Sequence, residues 1–298
     1  MTVISPRSVD GVLLLDKPVG MSSNAAIQHV RRLLNAAKAG HVGTLDPLAS
    51  GLLPICLGEA TKFSAGVFAA DKSYDAEILL GVTTATGDLE GAVTSRQVVS
   101  VMREQVAEIL RQFTGPLMQT PPMYSALKRA GKPLYAYARA GQILVLAPRS
   151  IVIHDIAMKS FSGDRLQINV RCSKGTYIRV LAEDIGRVFG CGATLAALRR
   201  ITVADFDVAR AITLELLDAA SEDRRMACLL PVDSLVSGLP EMLLGSAAVR
   251  CVLMGQSSRV EGMEPVSGVR LYDQSRRFLG LGEVQPGGRL VPKRLVTT

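Results

Sequence analysis

The stretch GHVGTLDPLASG, residues 40–51, surrounds a single carboxylate, Asp46, with three glycines, a proline and a histidine. Asp46 is the only acid between Asp16 and Glu59. A stiff, turn-rich loop holds a lone carboxylate in one direction, and on its own fits an Asp that caps the turn before Pro47 as well as one that reacts. Other chemical sites are excluded by spacing. There is no P-loop and no H-E-x-x-H, and the glycines of GRVFGCGAT follow a helix pattern with the wrong spacing for a dinucleotide. No Ser or Cys pairs with a histidine. A glycosidase-like carboxylate pair is disfavoured, because no second acid accompanies Asp46 in the sequence.

Cysteines and histidines argue against a metal. The five cysteines (56, 172, 191, 228, 251) include no C-x-x-C, and the three histidines (29, 41, 154) lack zinc-ligand spacing. The cysteines are expected to be reduced and buried. Neither metal nor cofactor is expected.

The partner is expected to be acidic. The formal charge is +7 and the sequence pI about 9.3. Between Thr120 and Ser150 lie five cations (Lys128, Arg129, Lys132, Arg139, Arg149) and no acid, together with Tyr124, Tyr135 and Tyr137. Cations interleaved with aromatics suit a surface that follows a nucleic-acid backbone and stacks on bases.

The elements that must position Asp46 can be read from periodicity. GVLLLDKP reads as a short buried strand, and SSNAAIQHVRRLLNAA as a helix capped by Ser22, Ser23 or Asn24 and closed by Gly40. LLPICLG reads as a buried strand, EATKFSAGVFAA as a helix and KSYDAEILLG as a strand with alternating faces. After the turn TTATGDLEG comes the helix MREQVAEILRQF. SIVIHDIAMKSF and RLQINVRCS read as paired strands, KGTYIRVLAEDIGRVFG as a turn and helix, and RRITVADFDV as another strand.

Near residues 235–244 the texture changes to short strand-like pieces (VRLYD, RFLGLGEV, RLVPKRLV) punctuated by Gly and Pro. From Gly238 onward there are eight cations against five acids. This pattern fits an α/β domain over 1–237, with an insert at about 120–150, followed by a small β-barrel over 238–298. Mean hydropathy is positive, yet no apolar run approaches the ~18 residues of a spanning helix. MTVISPRSVD does not read as a signal peptide. A cytoplasmic protein is expected.

GVLLLDKPVGMSSN, AGHVGTLDPLASGLLPICLGEATKF, MYSALK and CSKGTYIRVLAEDIG, in this order, resemble the bacterial tRNA pseudouridine synthases of the TruB family. The resemblance extends to the closing GLGEV and GRLVPKRL. It implies the pseudouridine-synthase fold, an α+β arrangement on a central mixed sheet with an RNA-gripping insertion and a PUA-like C-terminal barrel. It also implies isomerisation of uridine 55 in the tRNA T loop. The base is flipped out, cut from ribose, turned and rejoined through C5, with no cofactor, metal or protein partner required. A role in helping tRNA fold is compatible with base flipping, which disrupts tertiary contacts.

The resemblance also assigns residues. Asp46 becomes the nucleophile, attacking uracil C6 or ribose C1′ or removing a ribose proton. Arg179 becomes its partner, and a nearby guanidinium lowers an Asp pKa by roughly 1–3 units. Tyr74 stacks on the flipped base, while Tyr177 lies at the base edge and helps remove the C5 proton. His41 and Leu198 contact substrate, and Lys17 supports the site. Lys128, Arg129, Lys132 and Arg139 belong to the RNA-binding insert. The TTATGDLEG loop, with Ala85 where relatives often carry a polar residue, is expected to lie away from the chemistry.

Overall fold

Strand alternation builds a ten-stranded mixed sheet through the larger part of the molecule. The computed structural model describes residues 5–260, 262 and 264–297. Its main path runs Ile212–Thr213, Gly11–Lys17, Ala49–Leu57, Ala193–Val203, Lys72–Leu80, Arg165–Cys172, Arg149–Ser162 and Gly115–Gln119. Ala39–His41 adds to the Ala49–Leu57 strand, and Phe206–Asp207 to Ala193–Val203. Two pairings are parallel, Ala193–Val203 with Ala49–Leu57 and Gly11–Lys17 with Ile212–Thr213. The other pairings in this sheet are antiparallel.

Burial follows the alternation. KSYDAEILL buries Lys72, Tyr74, Ala76, Ile78 and Leu80 and turns the intervening residues outward. The helices Ser23–Leu33 and Ile178–Val188 lay Ala26, Ile27, Val30, Ile178, Leu181 and Ile185 into the same aliphatic core. Apolar burial at roughly 25 cal/mol per Å² is the main stabilising term here.

The Ser23–Leu33 helix begins as expected, with the Ser22 side chain accepting from Ala25 N. It ends earlier than expected. Asn35 turns into the left-handed region (φ 49°), and Gly40 lies in the following strand rather than at a helix cap. EATKFSAGVFAA does not form one helix but a 3₁₀ turn, Gly58–Lys62, and a short helix, Ala65–Ala69. Cys56, Cys172 and Cys191 are buried as expected, whereas Cys228 and Cys251 are half-buried; all five are free thiols.

The C-terminal part forms a separate five-stranded sheet, in the order Glu241–Leu243, Val266–Tyr272, Phe278–Gln285, Arg289–Leu295 and Ser258–Arg259. It has its own core of Leu244, Val252, Val269, Leu271, Leu279, Val284 and Leu290. The sequence reading missed the helix Ser246–Leu253 and the two short strands Glu241–Leu243 and Ser258–Arg259 there. This unit docks on the larger sheet through Phe278, packed edge-on against Phe63 at 5.3 Å. Around that contact Lys62 Nζ donates to Leu295 O (3.2 Å) and Thr297 Oγ1 (2.7 Å), and Tyr272 donates to Asp233 (2.6 Å).

Candidate active site

Asp46 lies in the loop between the Ala39–His41 and Ala49–Leu57 strands, and the loop is tied down from three sides. The buried Ser23 hydroxyl donates to Leu45 O (2.9 Å) and accepts from Leu45 N (2.8 Å). Gly20 N donates to Pro47 O at 2.8 Å, and Ala49 N to Asp46 O at 3.1 Å. On the third side the Arg200 guanidinium donates to Gly43 O (2.9 Å) and Leu52 O (2.7 Å). Gly43 and Gly51 both have positive φ, and a Cβ on Gly43 would sit 3.1 Å from Arg200 Nη1. On Gly51 it would collide with the Arg200 backbone. Positive φ favours glycine at both places, and at Gly51 the Arg200 backbone leaves no room for a side chain.

Asp46 faces a cavity of about 570 Å³, within the range of small-molecule pockets. The walls include Tyr74, Tyr177, Arg179, Leu198 and Arg200, and Ser125 to Leu127 of the insert. Sheet geometry explains several of them. Tyr74 and Arg200 are direct cross-strand partners, and Leu198, two residues before Arg200, pairs with Ala76 and Ala49 on the same face. Tyr177 is the N-cap of the Ile178–Val188 helix. Its backbone is fixed by the buried Gln119, whose Oε1 accepts from Tyr177 N (2.7 Å) and whose Nε2 donates to Tyr177 O (3.1 Å).

Arg179 follows in the first turn of that helix and is 4% exposed. Its Nη2 lies 3.0 Å from Asp46 Oδ2 and donates to Tyr124 O at 2.7 Å. Its Nη1 donates to Thr86 O at 2.9 Å, and Nε lies 3.5 Å from Asp88 Oδ2. The expectation that TTATGDLEG lies away from the chemistry is therefore wrong. Thr86 and the buried Asp88 form the far side of the arginine's cradle. A second acid also accompanies Asp46 after all, folded in from a distant loop and separated from it by one guanidinium.

The electrostatic expectation needs correcting as well. Burial raises the Asp46 pKa above the usual aspartate value, and this outweighs the opposing pull of Arg179, while Asp88 pushes it further up. The carboxylate is reachable, with 39% of its side chain exposed, yet it is ringed by protein at the base of a concave site. Arg179 limits the shift but does not reverse it.

The remaining assigned residues divide into those in the cavity and those beside it. Tyr74 and Leu198 line it, and burial raises the Tyr74 phenol pKa with Arg200 opposing. Tyr177 is likewise raised by burial, with Asp46 contributing. His41 is outside the lining and bonds through Nε2 to Thr44 Oγ1 at 3.1 Å; burial and Arg200 lower its pKa. Lys17 is fully buried beneath the loop, donating to Pro18 O (2.8 Å) and Met21 O (2.6 Å). Burial lowers its pKa to about 8, with Asp46 opposing.

In the insert, the hairpin Lys128–Arg129 and Lys132–Pro133 leads into the helix Leu134–Arg139. Lys132 lies over the Tyr137 ring (4.8 Å) and Arg139 over Tyr135 (5.5 Å). The expected interleaving is thus already a set of internal cation–π pairs. Sequence reasoning missed Asp88, Arg200 and Lys72. The alternation in LAALRRITV, which puts Leu198 and Arg200 on one face, was the available signal for Arg200.

Family models match the chain in consecutive pieces. The TruB family pseudouridylate synthase N-terminal domain matches residues 31–178. A tRNA pseudouridylate synthase B C-terminal domain matches 179–237, and a pseudouridine synthase II TruB C-terminal domain matches 240–296. The protein named tRNA pseudouridine synthase B from Azoarcus sp. is 55% identical over 298 residues, covering 99% of this chain and 97% of that one. Its namesake from Dechloromonas aromatica is 53% identical over 291 residues, covering 97% and 96%. A chain in the solved structure of an H/ACA RNP bound to a substrate RNA containing 2′-deoxyuridine superposes with a TM-score of 0.72. That match, at 24% identity over 97% of this chain and 85% of the other, speaks to the fold. With its mixed sheet, its PUA-like C-terminal unit and this identity along essentially its whole length, the chain belongs to the TruB family of pseudouridylate synthases.

Proposed function

We propose that the chain is a tRNA pseudouridine synthase that isomerises uridine 55 of the T loop, using Asp46 as nucleophile. The observation that carries this reading is Asp46 and Arg179 beside Tyr74 in one cavity, with the buried Asp88 behind the guanidinium. In this reading a flipped uridine stacks on Tyr74 and packs against Leu198, which orients its sugar toward Asp46. Asp46 attacks C6 or C1′, or takes a ribose proton. Arg179, anchored by Asp88, Thr86 and Tyr124, keeps the carboxylate aimed and opposes its protonation. Tyr177 meets the base edge. Its phenol holds its own proton near neutral pH, so it takes the C5 proton only by passing its own onward.

His41 shapes the loop through Thr44 and meets RNA beside the cavity. Lys17 holds the turn at Pro18–Met21 against the loop. Lys128, Arg129, Lys132 and Arg139 contact the T-arm backbone, and residues 238–298 act as a separate RNA-docking domain after a catalytic domain of residues 1–237. The reading places the protein in the cytoplasm with tRNA; among the described residues no helix is long and apolar enough to cross a membrane. Incubating the protein with unmodified tRNA and mapping pseudouridine tests the assignment. Product at position 55 is expected, and product elsewhere or none would overturn it. A folding-helper activity would show as refolding of misfolded tRNA that persists in Asp46→Asn.

A further inference from the structure

Two cations in the cavity wall have no part in the reaction described above. Lys72 is 6% exposed and Arg200 1%, and both line the cavity. They stand on one face of adjoining strands, since Lys72 is two residues from Tyr74 and Tyr74 is the register partner of Arg200. All the partners they make are neutral. Lys72 Nζ donates to Phe68 O at 2.9 Å and to Ala70 O. Arg200 donates to Leu52 O and Gly43 O and lies beside the Tyr74 phenol.

Among the described residues neither cation forms an ion pair with a carboxylate. Arg179, in contrast, is shared by two, and Arg199 is gripped by both oxygens of Asp16 (2.9 and 2.7 Å). The other groups nearby do not make up the missing charge. Burial pushes the Cys172 thiol up to about 11, Asp71 acts on Lys72 without touching it and less strongly than burial or Arg200, and Lys174 adds a third positive charge.

Burying a cation among neutral partners is unfavourable unless an anion arrives to face it. A phosphate is one such anion, but exposed Arg149 and Lys174 already offer themselves to it on the same cavity. Lys72 and Arg200 instead flank Tyr74, where the base itself would stack. We propose that Lys72 and Arg200 form an anion-stabilising wall for the pyrimidine ring, taking up the negative charge that the ring gains during the reaction. This rests on the reading of the cavity as a pseudouridine synthase site.

All three openings available to Asp46 put that charge on the ring. If the carboxylate bonds to C1′, or takes the C2′ proton so that C1′=C2′ forms, the C1′–N1 bond breaks and its electron pair stays with the base. The pair is then spread over N1, O2 and O4. If the carboxylate adds to C6, the C5=C6 pair moves onto the C4 carbonyl as an enolate. In each case the charge leaves the ring once C5 has bonded to C1′ and the carboxylate has been expelled, or the C2′ proton it took has been returned; the C5 proton then departs as N1 gains one. An interaction present only between those two moments lowers the barrier without tightening substrate binding.

The test is single-turnover conversion of unmodified tRNA, and of the same tRNA carrying 5-fluorouridine at the target position, followed as loss of the starting nucleoside. Fluorine makes the ring a better anion, so it needs less help from the protein. Lys72→Met is expected to slow uridine by roughly 10²-fold, with tRNA affinity unchanged. Lys72→Arg should restore most of the rate, and the Lys72→Met deficit should shrink severalfold on 5-fluorouridine. A full rate in Lys72→Met would overturn the proposal. So would a loss confined to affinity, or equal deficits on both bases that Arg does not rescue. Wild-type protein that forms no pseudouridine would instead sink the underlying assignment.

Discussion

Arg179 lies 3.0 Å from Asp46 and 3.5 Å from Asp88, so one buried guanidinium serves two carboxylates. Asp46, the one that opens to the cavity, is held by burial above the usual aspartate pKa despite that guanidinium.

Asp46→Asn keeps the shape of the side chain and removes its charge. Pseudouridine formation should vanish even at stoichiometric enzyme, while tRNA affinity measured by filter binding stays within about twofold. Product at near the wild-type rate would remove Asp46 from the mechanism.

The same substitution should not weaken the fold. The Asp46 pKa is raised, so the folded state holds that proton more tightly than the unfolded chain does. Its contribution to stability is therefore present below the ordinary aspartate value and is lost as pH rises through the folded pKa. Thermal melts at pH 7 should show Asp46→Asn at least as stable as wild type. Activity runs the opposite way, falling as pH drops through that raised pKa.

Asp88→Asn removes a like charge from beside Asp46, so the acid limb of the single-turnover rate should move to lower pH. The plateau should also fall, by roughly tenfold or more, because Arg179 loses an anchor. An unmoved limb would mean that Asp88 serves only as scaffold.

Arg179→Lys keeps a charge but loses the planar fork that reaches Thr86, Tyr124 and both acids at once. We expect a rate loss of roughly 10²-fold rather than abolition. Burst measurements with excess enzyme would separate this from weakened binding.

Replacing Lys128, Arg129, Lys132 and Arg139 together by glutamine should flatten the salt dependence of tRNA affinity. For four phosphate contacts the log–log slope should shrink by roughly 3. Deletion of the whole insert is the poorer experiment, since Ser125 to Leu127 form part of the cavity wall.

The local parts of this architecture were legible in the sequence because they follow from period and cap. KSYDAEILL alternates and becomes a strand, and the Ser22 cap starts its helix. The turn residues around Asp46 drew notice to it, but the roles assigned to Asp46 and Arg179 both depended on their motifs. Asp88 was hidden because its significance comes from a contact across the fold, with nothing around it in TTATGDLEG to mark it. Arg200 was hidden because an arginine in a strand reads as solvent-facing until its cross-strand partner is known. The expected pKa of Asp46 went wrong for a related reason: the motif supplies the neighbour's charge, whereas burial is a property of the assembled cavity.

Gly43 and Gly51 lock around Arg200, so the segment bearing Asp46 is effectively part of the sheet although it has the sequence of a loop. Under the proposed function, exchanging Lys128 to Pro148 for the matching segment of a relative should change how RNA is held and leave this frame in place. A single added methyl at Gly51 would press on the Arg200 backbone and so shift the Asp46 loop and the Ala193–Val203 strand together. The amide hydrogens of Val42 and Leu45, bonded to Pro54 O and Ser23 Oγ, should exchange as slowly as those of core strands.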